Sequence, residues 1–221
     1  MPEKISEKIT NHTFYIGGSP CSGKSTVCEK MSKKLGLHYY KIDDHEQEHL
    51  QRVDAQKQPI MSKWQNPNWN EIWMRPVDVQ VDEEFEFYRE RFEMILEDLQ
   101  VLKTDSNIIV EGAALLPELL NDIKVNSDNV LYMIPTREFQ IENYSKREFI
   151  HHILKDCEDP KQAFKNWMER DVQFGEKVTS QANLYGYKTM IVDGSKTEEE
   201  TFLMIKKLMQ ITSTFHGKLM I

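Results

Sequence analysis

A parallel β-sheet of five strands with helices on both faces, an α/β architecture, is the fold this sequence predicts. Three observations lead there. Residues 13–34 run from a short apolar stretch through a glycine- and serine-rich turn into a helical pattern. Four further β-rich runs follow, separated by segments of helical periodicity, the pattern of a parallel sheet with crossover helices. Several of these runs end in an acid or a glycine, at the strand ends where such sheets gather their ligands.

The turn itself is the most informative stretch. From Gly18 to Ser25 it fits G-x-x-x-x-G-K-[ST], the phosphate-binding P-loop or Walker A pattern. Gly18 and Gly23 permit backbone angles and close approaches that a side chain blocks, so the N–H groups of Ser19, Pro20's neighbours Cys21 and Ser22, and the residues after them can curl around phosphate oxygens. A helix beginning near Lys24 aims its positive end at the same anion. Lys24 is expected on the β- and γ-phosphates and the Ser25 hydroxyl on Mg²⁺, with Thr26 at the helix start. Val27, Met31 and Leu35 share one helical face, and Gly36 is a natural stop.

The 221 residues suit one domain spanning the whole chain, with a helical substrate-binding insertion at about 45–103 and a helical lid at about 140–175. A formal charge of −8 argues against a surface that attracts nucleic acid or acidic membrane. An anionic ligand must therefore meet a local cluster of cations. Cys21, Cys28 and Cys157 make an odd count without metal-ligand spacing, which suggests a reducing compartment. No apolar run approaches membrane-spanning length and residues 1–11 are charged rather than signal-like, so a cytoplasmic protein is expected.

Taken in order, a polar arm with a helix over 2–9 precedes the first strand at 13–17. His38-Tyr39-Tyr40-Lys41-Ile42 is β-rich and closes on Asp43-Asp44, a second strand whose end carries two acids. Asp44 is also a natural cap for a helix through Glu46, Glu48 and Leu50. Pro59, Pro67 and Pro76 punctuate a segment holding Trp64, Trp69 and Trp73, where loops and short helices are expected. Asp82 then opens a long amphipathic helix to Leu102, with Phe85, Tyr88, Phe92, Ile95, Leu96 and Leu99 as its apolar stripe. The third strand, 107–112, is nearly continuous in apolar residues and ends at Glu111-Gly112, as a central strand does. A short helix at 117–123 and a fourth strand at 129–135 follow. Thr136 caps a helix running to about 154, Pro160 starts another to about 183, and 188–193 is the fifth strand. Thr197 caps the last helix, ending near 211, and 215–221 is a tail without a clear pattern.

Here the chain resembles the P-loop small-molecule kinases of the nucleoside monophosphate kinase-like class, among them chloramphenicol phosphotransferase, shikimate kinase and uridine kinase. The resemblance covers most of the chain and is strict only at Gly18 to Ser25. It implies an aspartate after the second strand beside the acceptor hydroxyl, the place of Asp43 with Asp44 next to it. A carboxylate there orients the hydroxyl and takes its proton, against the plainer reading of two acids capping a helix. Glu111-Gly112 through Pro117 is similar to the acid-Gly-x-x-x-x-Pro segment of 2-phosphoglycerate kinase-like proteins, which implies that Glu111 meets Mg²⁺ or holds substrate; no Walker-B aspartate stands there. Arg170-Asp171 is similar to the lid pair of uridine kinase-like enzymes. With Arg147 about six turns earlier and Arg137 past the fourth strand, it implies cations over the phosphates. The turn at Gly194 matches where related kinases hold adenine. The tryptophans with Arg75 form either an aromatic wall for the acceptor or simple packing. Arg89 and Arg91 lie on the long helix, at most one of them facing the pocket.

These readings converge on an ATP- and Mg²⁺-dependent kinase that phosphorylates a hydroxyl or phosphate of a small molecule, as a monomer or homodimer, without nucleic acid or membrane as partner. Two other classes stay open: a nucleotide-hydrolysing or ATP-binding regulatory module, and a nucleic-acid-end kinase, which the negative charge disfavours.

Overall fold

In the computed structural model, which describes residues 5–211, the five predicted strands form one parallel sheet. They are β1 (Thr13–Gly17), β2 (His38–Lys41), β3 (Ile108–Glu111), β4 (Val130–Pro135) and β5 (Lys188–Val192), in the spatial order β2-β3-β1-β4-β5. Ile16 stands beside Glu111 on one side, and Gly17 beside Tyr132 on the other, so the chain leaves β1 in the middle of the sheet.

Alternation along the strands sends one set of residues to each face. Ile16, Ile109, Leu131 and Met133 face α2 (Lys24–Leu35) and the last helix (Glu198–Leu208), which contribute Val27, Met31, Phe202 and Ile205. Tyr15, Val110, Tyr132 and Ile134 face the other way, onto Ile9 of α1 (Glu7–Asn11) and two helices of 25 residues, Val77–Val101 and Pro160–Leu184.

Between β2 and β3 lie a 3-10 turn (Ile42–His45), α3 (Glu46–Gln51), α4 (Pro59–Lys63), α5 (Trp69–Trp73) and α6 (Val77–Val101). After β3 come α7 (Pro117–Asp122) and, past β4, α8 (Arg137–Ser145), α9 (Glu148–Leu154) and α10 (Pro160–Leu184); Glu198–Leu208 is α11. Thr197 caps α11 in a reciprocal capping box with Glu200.

Three elements differ from expectation. Helix α6 starts at Val77 rather than Asp82, because Pro76 sets the entry and Val81 is already fully buried, while Asp82 turns outward to Lys177 at 2.7 Å. The helix expected from 136 to 154 breaks at Lys146 and Arg147 into α8 and α9. Tyr144 and Ile150, six residues apart, would stand about 120° apart around one continuous helix. The break lets both pack on the cluster around Trp167. Arg147 therefore lies at the N-cap of α9, and Arg170 is on a separate helix. The predicted N-terminal helix is observed at Glu7–Asn11; residues 2–4 and the tail at 215–221 lie outside the described residues.

The tryptophans pack. Trp73 is 2% exposed and stacks on Trp167 with ring centroids 4.0 Å apart, and Trp64 meets Trp69 edge-on and lies against Phe87. Arg75, the cation expected among them, is paired with Glu83.

Candidate active site

The turn after β1 is held in a shape that only its sequence permits. Gly18 has φ +114°, and a Cβ there would lie 2.2 Å from the carbonyl oxygen of Met133, so the backbone of β4 fills the space a side chain needs. Cys21 also takes a positive φ of 61°. Burial pushes its thiol up to about 11, Arg147 and Lys24 pulling against it, so the loop carries a neutral sulfur rather than a thiolate. Gly23 precedes the first turn of α2, and the free N–H groups there face the loop. The hydroxyl of Ser19 donates to the carbonyl of Asp171 at 3.0 Å, tying α10 to the loop.

Lys24 is 6% exposed, and its amine donates to the Ser19 carbonyl at 2.8 Å. Burial draws its pKa down, while Glu111 and Asp43 pull the other way. Glu111, at the end of β3, is 2% exposed and accepts from the Tyr39 hydroxyl at 2.9 Å. Burial raises its carboxyl, Lys24 opposes, Asp43 adds to the rise, and the hydroxyls of Tyr39 and Ser25 draw it back. Lys24, Asp43 and Glu111 thus come from three adjacent strand ends, Glu111 standing between Ile16 of β1 and Lys41 of β2.

The two acids after β2 have different surroundings. Asp44 pairs with Lys41 at 3.0 Å and caps no helix; His45 occupies that position for α3. Asp43 is exposed and makes no ion pair among the described residues. Its turn is held from behind by Arg91, whose guanidinium donates to the Ile42 carbonyl at 2.6 Å, to Glu46 at 3.0 Å and to His49 at 3.0 Å. Arg91 is thus the residue of the Arg89 and Arg91 pair that turns inward; Arg89 pairs with Glu86 and Glu118.

The lid arginines differ from expectation. Arg170 is buried between Glu84, at 3.2 Å, and Asp171, at 2.6 Å, with its guanidinium 4.9 Å from the Trp73 ring. Two carboxylates and a flat aromatic face give a buried guanidinium the partners it needs, so the helix directs it into the protein. Arg137 pairs with Glu169 at 2.6 Å on the surface. Arg147 lies over Tyr144 and lines a cavity of about 280 Å³ together with Cys21, Gly23, Thr26, Asn143 and Gly194. That cavity joins the loop to the turn after β5. Gly194 has φ +82°, and a Cβ there would come within 2.7 Å of the Phe139 ring.

Several contributors have weak signals in sequence. Phe139 and Asn143 are spaced i, i+4 on α8, and Glu84 and Tyr88 have the same spacing on α6, with the Tyr88 hydroxyl donating to Glu84 at 3.1 Å. Such spacing says that two side chains share a face, not which ligand the face meets.

No protein-family model and no curated protein matches the chain. Among solved structures, deoxyadenosine kinase from M. mycoides with its products dCMP and a flexible dCDP bound aligns with a TM-score of 0.50 at 16% identity, covering 90% of this chain and 100% of that one. The same enzyme with dATP bound gives 0.47 at 18% identity, covering 88% and 97%. The YorR protein of Bacillus subtilis, in complex with phosphorylated GDP, gives 0.45 at 15% identity, covering 90% and 95%. The first of these shows a shared fold: a parallel five-stranded sheet with helices on both faces and a phosphate-loop sequence after its first strand.

Proposed function

We propose that the protein is an ATP- and Mg²⁺-dependent phosphotransferase acting on a small-molecule acceptor. One observation carries this reading. The P-loop leaves the end of β1 where Ile16 stands beside Glu111 at the end of β3, and Glu111 in turn stands beside Lys41 at the end of β2, two residues before Asp43.

The cavity beside Gly194 takes the adenine end of the donor and the loop from Gly18 to Thr26 takes its phosphates. Arg147, on the rim of that cavity, faces the donor; Arg137 and Arg170 reach it only if they leave Glu169 and Glu84. Lys24 binds the β- and γ-phosphates in place of the Ser19 carbonyl it now contacts. No group of three or more metal-ligating side chains occurs among the described residues. That suits Mg²⁺, which keeps waters and takes only one or two protein oxygens alongside phosphates, here Ser25 and Glu111. The ion, when bound, neutralises charge on the phosphates. Asp43 orients the acceptor and accepts its proton. No described helix is long and apolar enough to cross a membrane. Three free thiols support a reducing, cytoplasmic setting, and the negative charge supports a small acceptor over nucleic acid, with the enzyme a monomer or homodimer.

The test is transfer of labelled γ-phosphate to a broad acceptor panel, with Mg·ATP binding followed by calorimetry. Lys24→Ala is expected to abolish transfer. Asp43→Asn is expected to lower kcat by roughly 10²- to 10⁴-fold with donor binding retained, whereas Asp44→Asn changes it by less than about threefold. Binding of ATP without transfer to any acceptor, or Asp43→Asn turning over at the wild-type rate, would remove this assignment. Hydrolysis stimulated by a protein partner without a small acceptor would favour a regulatory module instead.

A further inference from the structure

Two tyrosines adjacent on β2 send their hydroxyls to carboxylates on opposite faces of the sheet. Tyr40 packs with Phe92, Ile95 and Leu99 of α6 and donates to Asp98 at 2.6 Å. Tyr39 packs on the other side, against the cluster of Val27, Cys28 and Met31 from α2, and its hydroxyl donates to Glu111 Oε2 at 2.9 Å.

The strand register sets up this second bond. Tyr39 is paired with Ile109 and Lys41 with Glu111, so Tyr39 and Glu111 lie on one face, two residues apart along neighbouring parallel strands. Packing against α2 asks only for the ring, which phenylalanine would supply. Among the described residues the hydroxyl has one hydrogen-bond partner, and that carboxylate is 2% exposed. Burial and the Glu111 charge keep the phenol protonated, so the tyrosine is the donor.

A glutamate has one torsion more than the usual Walker-B aspartate, and its terminal torsion is broad, so its two oxygens exchange places unless one is held. A carboxylate that meets an ion or the ion's water binds better when a neighbouring group has already oriented it. The Tyr39 bond occupies Oε2 and leaves Oε1 for that task. Resting on the phosphotransferase reading above, we propose that Tyr39 is a positioning residue for Mg²⁺. By holding one oxygen of Glu111 it fixes the orientation in which the other meets the ion or its water. Tyr39 touches neither nucleotide nor acceptor in this role, and its whole effect passes through Glu111.

The experiment measures binding of Mn²⁺, as a paramagnetic substitute for Mg²⁺, to the full chain in slight excess over an ATP analogue whose β,γ-bridge is nitrogen. The free ion's electron paramagnetic resonance signal reports the binding. Tyr39→Phe is expected to weaken it about 10-fold, while calorimetry in EDTA shows unchanged affinity for the analogue. Tyr40→Phe removes the same kind of bond on the opposite face and is expected to leave Mn²⁺ binding unchanged. In a Glu111→Gln background, which itself binds the ion more weakly, Tyr39→Phe is expected to cost less than about twofold more, because the carboxylate it orients is gone. Wild-type Mn²⁺ binding in Tyr39→Phe overturns the inference and leaves the phosphotransferase reading standing. So does an equal loss in Tyr39→Phe and Tyr40→Phe, or full additivity of Tyr39→Phe with Glu111→Gln. A wild-type chain that binds no analogue, with or without Mn²⁺, removes both.

Discussion

Arg91 Nε donates to Nδ1 of His49 at 3.0 Å, which settles the tautomer of a fully buried imidazole. A guanidinium cannot accept, so the ring proton sits on Nε2 and points at Asp98, 2.8 Å away. The Tyr40 hydroxyl donates to the same carboxylate oxygen at 2.6 Å. Since Arg91 also holds the Ile42 carbonyl, this network fixes the turn that presents Asp43.

Burial lowers the pKa of His49, with Arg91 and Arg52 acting in the same direction and Asp98 against them. The unfolded chain therefore takes up its proton first as pH falls. The stability from a neutral His49 is present above about 6.5, the unfolded value, and is lost as pH drops below it. Thermal melts of wild type and His49→Gln from about pH 7.5 down to 5.5 should show a steeper decline in the wild type. Parallel curves would mean that the ring titrates as it does in the unfolded chain.

Glu84 has the opposite sign. Burial pushes its carboxyl up to about 7, Arg170 opposing and Asp171 adding to the rise. Its contribution is present below the ordinary value of 4.5 and is lost as pH rises through about 7, because a second carboxylate must then ionise beside Asp171. Glu84→Gln is expected to be less sensitive than wild type between about pH 6 and 8.5, and the more stable of the two at the alkaline end. Melts in which the variant falls as steeply as wild type would contradict this.

Gly194→Ala tests the donor cavity without touching the phosphate loop. The new methyl meets the Phe139 ring, at a backbone angle that alanine adopts only under strain. Calorimetry with Mg·ATP should show affinity about 10-fold weaker, and urea denaturation a loss of about 1–3 kcal/mol from the strained backbone. Unchanged affinity would place the base elsewhere.

Trp73→Ala addresses the tryptophans as packing. The stack on Trp167 joins α5 to α10, and the cavity left behind should cost about 3–5 kcal/mol in urea denaturation. A small loss of stability with a large rise in acceptor KM would return Trp73 to the acceptor wall.

Much of this was legible in the sequence. The strand, turn and helix from Thr13 to Leu35 follow from local chemistry, since a glycine at Gly18, another at Gly23 and an apolar stripe at Val27, Met31 and Leu35 leave few other conformations. The strands were visible because each is a short run of β-branched, aromatic or apolar residues with a turn at its end. The entry to α6 was misplaced because an acid such as Asp82 marks helix starts only when it sits in the first turn, and here Pro76 acts six residues earlier. The break at Arg147 has no glycine or proline to announce it and comes from the demand that Tyr144 and Ile150 both reach Trp167.

Composition, periodicity and the P-loop pattern suffice for a parallel five-stranded sheet with a glycine-rich loop after its first strand, because those signals act between residues near in sequence; that this strand is the middle one only the fold shows. Which arginines are free is a different kind of fact. Glu84 stands 86 residues before Arg170, and Glu46 stands 45 before Arg91, so their pairing exists only once α3, α6 and α10 are packed together. Long, flexible cations take whichever carboxylate folding brings within reach, and no local pattern records that choice.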